Sequence, residues 1–137
     1  MIFDVAKLLK QKIIFKASPS EVYSALMDEK KHSAFTGAKA EIENKVGGNF
    51  SAWDGYIEGE NLELVPGKKI VQKWRASDWA KGKYSTVTYE LSPKSDGCQL
   101  TFTQVDIPDE NFDEIEQGWT DFYWEHLKEW FNNEKMQ

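Results

Sequence analysis

Residues 111–131 read NFDEIEQGWTDFYWEHLKEWF, and this stretch decides the fold. It is the longest helical pattern in the chain and holds three of its six tryptophans. At about 100° per residue from Ile115, the residues Phe112, Ile115, Trp119, Phe122, Tyr123, His126, Leu127 and Trp130 share one broad face. Asn111 followed by Glu114 fits a helix start, and Asp113, Glu114 and Glu116 put negative charge where the helix dipole favours it. Gly118 lies at the edge of the apolar face. A glycine inside a helix costs about 1 kcal/mol against alanine, so a close approach of another backbone is expected there. A helix this aromatic needs a large apolar partner, which the rest of the chain must supply.

That partner is a set of strands. Residues 11–16 (QKIIFK) are dense in β-branched and aromatic side chains and read as a strand. Before them, Phe3, Val5, Leu8 and Leu9 fit either a short helix or the lead-in to that strand. Ser18-Pro19-Ser20-Glu21 is a helix start, with Ser18 as N-cap, Pro19 in the first position and Glu21 closing a capping box. Val22, Tyr23 and Leu26 point inward. Asp28 caps a second short helix that ends at Thr36-Gly37. From Ala38 the pattern changes to strands over 38–42, 49–53, 56–65, 69–76, 85–92 and 99–105, with turns at Gly47-Gly48, Asp54-Gly55, Pro66-Gly67 and Asp96-Gly97. Ile70, Gln72 and Trp74 alternate with Val71, Lys73 and Arg75. Val87, Tyr89 and Leu91 alternate with Thr86, Thr88 and Glu90, and Leu100, Phe102 and Gln104 with Thr101, Thr103 and Val105. Short hairpin connections imply an antiparallel meander with one face to cover, and the final helix is the element able to cover it. The expected fold is α+β: a curved antiparallel sheet wrapped around a long C-terminal helix, with two short helices after the first strand. Trp74, Tyr89 and Phe102 should face Trp119, Phe122 and Tyr123, each ring burying roughly 150–250 Å².

The totals narrow the function classes. The chain has 137 residues, 40% hydrophobic and 29% charged, which suits one domain spanning 1–137. A net charge of −6 and no long basic run argue against nucleic-acid or anionic-membrane surfaces, which need clustered Lys and Arg. The one cysteine, Cys98, cannot form an internal disulfide, and no apolar run is long enough to span a bilayer, so a cytoplasmic location is expected. Two isolated histidines and one cysteine show no metal-ligand spacing, and no nucleophile motif, phosphate loop or dinucleotide fingerprint is present. No cofactor, metal or catalytic residue is therefore expected.

The ordered set of Gly47-Gly48-x-Phe50, Asp54-Gly55, Leu64-Val65-Pro66, the 70–75 strand ending in Trp74-Arg75, Trp79 and Gly118-Trp119 resembles one known family. It is similar to the activators of the heat-shock protein 90 ATPase, and within them to the C-terminal domain. They belong to the helix-grip, START-like superfamily that also holds lipid carriers and polyketide cyclases. The resemblance covers about residues 8–131. It implies a helix-grip fold, a non-enzymatic chaperone-associated or protein-interaction role, and a heat-shock protein 90 as partner. The eukaryotic activator has a separate N-terminal domain that does much of the ATPase stimulation. This chain begins almost at its first strand, so that activity need not carry over.

The superfamily also implies a pocket for a small hydrophobic ligand between sheet and helix. Its expected lining is Phe50, Trp53, Ile70, Trp74, Val87, Tyr89 and Phe102 from the sheet, with Trp119, Phe122, Tyr123 and His126 from the helix. The other reading is that these rings fill the space as a packed core. His126, Gln72 and Gln104 are inward polar groups, able to orient a polar ligand or to do acid–base work in a cyclase- or hydrolase-like enzyme. His126 reads equally as a satisfied core histidine, and His32, in a polar helix, as solvent-facing. Trp124 and Phe131 project about 180° and 160° from Ile115, and Trp79 sits in a loop. Surface aromatics of this kind mark partner-binding sites, unless Phe3 or Leu8 covers the Trp124–Phe131 stripe.

Overall fold

The computed structural model describes residues 8–135. Strand β1 (Leu9–Phe15) is followed by α1 (Pro19–Met27) and α2 (Glu29–Thr36). Then come β2 (Glu41–Ile42), β3 (Asn49–Ala52), β4 (Ile57–Val65), β5 (Lys69–Ala76), β6 (Ser85–Lys94) and β7 (Gly97–Val105). A 3-10 turn (Asp109–Asn111) leads into α3 (Phe112–Gly118), a π-helical segment (Trp119–Trp124) and α4 (Glu125–Lys135). The strands form one sheet in the order β1-β7-β6-β5-β4-β3-β2, antiparallel throughout. β1 reaches β7 across the whole chain, so the sheet closes the N-terminal strand against the last one.

Local chemistry sets the early elements. Ser18 accepts the Glu21 N–H at 3.1 Å and Glu21 returns a bond to the Ser18 N–H at 2.9 Å, the reciprocal pair of a capping box. Asp28 ends α1 and caps α2 by accepting the Lys30 and Lys31 amides at 2.9 and 3.0 Å. Gly37 ends α2 at φ 77°, a left-handed conformation that glycine adopts without strain. Val22, Tyr23 and Leu26 are buried, as the helical spacing requires.

The alternation in β5, β6 and β7 builds the core. Ile70, Gln72, Trp74, Val87, Tyr89, Leu91, Leu100, Phe102 and Gln104 are all buried on the inner face. Cross-strand registry aligns Ile70 with Tyr89 and Tyr89 with Phe102, so large side chains form rows across the sheet. Gly59 keeps such a row continuous: a Cβ there would collide with the Lys73 carbonyl and the Phe50 ring.

Several expectations are corrected. The strand expected over 38–42 is only Glu41–Ile42. Asp54-Gly55 is not a two-residue hairpin loop. β3 stops at Ala52 and β4 starts at Ile57, and Trp53 and Asp54 both take left-handed backbone at φ 55° and 57°. Asn111 makes no side-chain cap, and the chain enters α3 through the 3-10 turn instead. Gly118 meets no other backbone; a Cβ there would touch only the Phe122 ring, at 3.8 Å. Phe3 and Val5 lie outside the described residues.

The largest correction concerns the final helix, which is not one α-helix. Around Trp119–Trp124 the bonding shifts to i→i−5, as in the Glu125 N–H to Thr120 carbonyl bond. Each π-helical residue turns less than an α-helical one, and the lag accumulates to roughly a quarter of a turn. Trp124 and Phe131 therefore swing inward and are buried, while Phe122, expected inward, is 55% exposed. Phe15 of β1 covers the displaced rings, with centroids 6.5 Å from Trp124 and 5.9 Å from Phe131. Leu8, the described one of the two residues expected to cover them, is exposed.

Candidate functional site

The π-helical segment brings Trp119, Tyr123 and Trp124 onto one buried face. Both buried indoles find polar partners there. Trp124 Nε1 donates to Gln11 Oε1 at 2.6 Å, and Trp119 Nε1 donates to Gln104 Oε1 at 2.8 Å. Gln104 Nε2 donates on to Ser85 Oγ at 2.9 Å, whose hydroxyl donates to the Trp74 carbonyl at 2.9 Å. Gln104 is thus committed to holding Trp119, and its amide is used up on both sides. Gln72 likewise donates to Asn61 Oδ1 at 3.0 Å, and Asn61 donates to the Glu43 and Lys45 carbonyls at 2.8 and 3.3 Å. Asn61 is fully buried and was not singled out in the sequence, where it stands in a strand with weak alternation.

A column of indoles runs along this network. Trp79 lies 5.5 Å from Trp74, Trp74 lies 5.6 Å from Trp119, and Trp119 stacks on Trp124 at 5.3 Å and 19°. Phe102 and Tyr89 flank Trp119 at 4.4 and 6.2 Å. Trp79 is therefore not a surface aromatic. Arg75 folds its loop inward, donating to the Trp79 carbonyl at 2.7 Å and pairing with Glu58 at 3.1 Å.

His32, expected to face solvent, is buried. A carbonyl can only accept, so Nδ1 carries the proton donated to the Leu26 carbonyl at 3.1 Å. Nε2 then accepts from the Tyr123 hydroxyl at 3.2 Å. The Trp53 ring stands edge-on to Tyr123, with centroids 5.8 Å apart. Burial lowers the His32 pKa, against a smaller opposing effect of the Leu26 carbonyl. Burial raises the Tyr123 hydroxyl far above its ordinary range, and that of Tyr89 as well. His126, expected in the pocket, is half-buried and donates from Nδ1 to the Phe35 carbonyl at 3.2 Å in the last turn of α2. It ties α4 to α2 and does not line the cleft.

The space between helix and sheet is mostly filled. What remains is a cleft of about 320 Å³ at one end, lined by Trp53, Tyr56, Ile57, Trp74, Glu114, Ile115, Gly118, Trp119, Phe122 and Tyr123. Of the expected lining, Trp53, Trp74, Trp119, Phe122 and Tyr123 come together there. Ile70, Val87, Tyr89 and Phe102 are packed core. Phe50 instead borders a wider, polar recess of about 870 Å³ with Glu41, Glu43, Glu58, Glu60 and Lys73. Tyr56, Ile57, Glu114, Ile115 and Gly118 were missed as lining. Tyr56 and Ile57 are placed by the four-residue turn, and the other three by α3, the α-helical segment that precedes the π-helical one. Tyr56 donates from its hydroxyl to Asp78 at 3.0 Å. Its pKa is pushed up to about 12, first by burial, then by that bond and by the charges of Asp78 and Glu114. Among the described residues no group of three or more His, Cys, Asp and Glu is placed to hold a metal ion, and no helix is long and apolar enough to cross a membrane.

Comparison with known proteins matches this architecture. Residues 16–132 fit the family described as "Activator of Hsp90 ATPase homolog 1-like protein". The chain is 40% identical over 129 residues to the activator of 90 kDa heat shock protein ATPase homolog of Dictyostelium discoideum, covering 92% of this chain and 33% of the relative. It is 36% identical over 117 residues to homolog 1 of Homo sapiens, covering 85% of this chain and 35% of that one. The chain thus spans about a third of the length of these curated relatives. Among solved structures, an HSP90 activator from Plasmodium falciparum superimposes with a TM-score of 0.78 at 30% identity, covering 89% of this chain and 92% of that one. CalU16 from Micromonospora echinospora, at 22% identity and a TM-score of 0.79 over 96% of this chain and 80% of that one, shares the fold. With its sheet gripping a C-terminal helix and its match over nearly all of the described residues, the chain belongs to the family of activators of the heat-shock protein 90 ATPase.

Proposed function

We propose that residues 1–137 act as one non-enzymatic interaction unit that associates with a heat-shock protein 90 chaperone in the cytoplasm. The observation behind this reading is the extent of the family match, 40% identity over 92% of the chain to a protein named as an activator of that ATPase. The polar groups of the interior fit a scaffold, since Gln104, Gln72, Asn61 and His32 are each engaged in holding the core together. The test is to titrate the pure chain into a heat-shock protein 90, following heat release and ATP turnover. Saturable binding with a changed turnover rate is expected. The absence of both binding and a rate change would sink the reading.

A second reading is favoured by the cleft. Its volume of about 320 Å³ lies at the lower end of the roughly 300–1,000 Å³ of small-molecule sites, and its walls are mainly aromatic. It suits a small hydrophobic ligand rather than a long acyl chain. A saturable quench of tryptophan emission by an apolar dye is expected, with Phe122→Ala weakening it. A linear, non-saturating response would count against a usable site.

A further inference from the structure

We propose that the cleft under the π turn selects a small organic cation, a quaternary or protonated ammonium group carried on an apolar body. This rests on the ligand-binding reading and names the charge of the ligand. Trp53 stands edge-on to Phe122 and to Tyr123 at 5.8 Å in each case, and Trp74 and Trp119 close the floor at 5.6 Å from one another. Aromatic faces carry negative electrostatic potential, and a cation over them gains attraction that a neutral group of the same shape does not.

The rim adds to this field. Glu114 is the one charged residue of the lining, and no described lining residue is basic. Tyr56, also in the lining, holds the Asp78 carboxylate at 3.0 Å. Both carboxylates act on the Tyr56 hydroxyl and oppose its ionisation, so their fields meet at the mouth. An anionic amphiphile entering here meets two like charges before it reaches the rings. A cation meets two opposite charges and then a lining of aromatic rings. The whole chain, at −6, draws cations in the same direction. The small volume decides for a free small molecule.

The experiment compares three probes by tryptophan quenching and by indole N–H shifts in NMR. They are benzyltrimethylammonium, its uncharged carbon isostere neopentylbenzene, and 4-phenylbutanoate. The cation is expected to bind about fivefold or more tighter than the isostere, with the anion weakest. Glu114→Gln combined with Asp78→Asn should cut the cation's advantage over the isostere by about threefold, and added salt should act in the same direction. Both side chains are exposed, so the urea midpoint of this variant should fall only slightly, through the loss of the Glu114 charge from the first turn of α3. Equal affinity for cation and isostere, or an advantage that the double substitution leaves undiminished, overturns the charge assignment while leaving the ligand reading standing. No saturable response to any probe overturns both. Binding of N-acetyl-lysine amide as tight as that of benzyltrimethylammonium overturns the choice of a free molecule over a protein side chain.

Discussion

His32 gives the clearest case of a single side chain whose protonation state is built into the fold. Its neutral ring donates to Leu26 and accepts from Tyr123, and burial holds its pKa below the ordinary value. The unfolded chain therefore takes up the proton first as pH falls. Stability contributed by the neutral ring is complete above about pH 6.5 and is lost as pH falls below it, with a slope approaching 1.4 kcal/mol per pH unit. Urea midpoints at about pH 7.5 and about pH 5.5 should show this loss, and His32→Gln should flatten it. Gln104 makes a second prediction. Gln104→Leu leaves the Trp119 N–H without its acceptor and should cost about 1–3 kcal/mol in the same assay. Neither role could be read in the sequence. His32 sits in the polar run EKKHSAFT, and its partner Tyr123 is 91 positions away. Gln104 could be read as inward from its alternation with Thr103 and Val105, but not as bonded to Trp119. Periodicity gives the side a residue faces, whereas its hydrogen-bond partner depends on how distant elements dock.

Among the elements, the strands were legible because their period is fixed. A residue two places on returns to the same face in any strand, so the inward sets of β5, β6 and β7 follow from alternation alone. The final helix was legible in length but not in phase. Counting at about 100° per residue places Trp119 and Tyr123 correctly and then misplaces Phe122, Trp124 and Phe131, because the π-helical segment delays the rotation. Gly118 precedes that segment with ordinary helical backbone, and a Cβ there would make only an ordinary contact with the Phe122 ring. Gly118→Ala should therefore raise stability by about 0.5–1 kcal/mol in chemical denaturation, by restricting the unfolded chain. A fall in stability would show that the site needs glycine's freedom to form the π turn. Four of the eleven expected lining residues, Ile70, Val87, Tyr89 and Phe102, are core for a related reason. The side chains fill the space in layers, and only the end where the β3–β4 turn widens stays open.

Across the whole molecule, sheet and helix share one core, and Cys98 sits at one end of it, at the start of β7 opposite Phe15 of β1. The thiol is fully buried in β7, and burial raises its pKa. A thiol reagent should label the native protein only as fast as it opens, and labelling should accelerate in step with the loss of tryptophan fluorescence in urea. Rapid labelling in native buffer would mean that β1 or β7 detaches locally. The family assignment was also legible at this scale, since it rested on an ordered set of turns and aromatics spread along the chain. The surface aromatics were not. Trp79, Trp124 and Phe131 are all inside, so the helix's far stripe and the Trp79 loop no longer argue for a partner surface.

The indole column has an optical consequence. Trp79, Trp74, Trp119 and Trp124 stand at successive spacings of 5.5, 5.6 and 5.3 Å, close enough for excitation to hop from ring to ring before it is emitted. The four act as an antenna that collects light over much of the core and drains it to whichever ring is lowest in energy. Two of them, Trp74 and Trp119, also form the floor of the cleft. A molecule docking there should darken light absorbed well beyond its own contacts, and replacing one indole should reshape the emission of the others instead of subtracting an equal share.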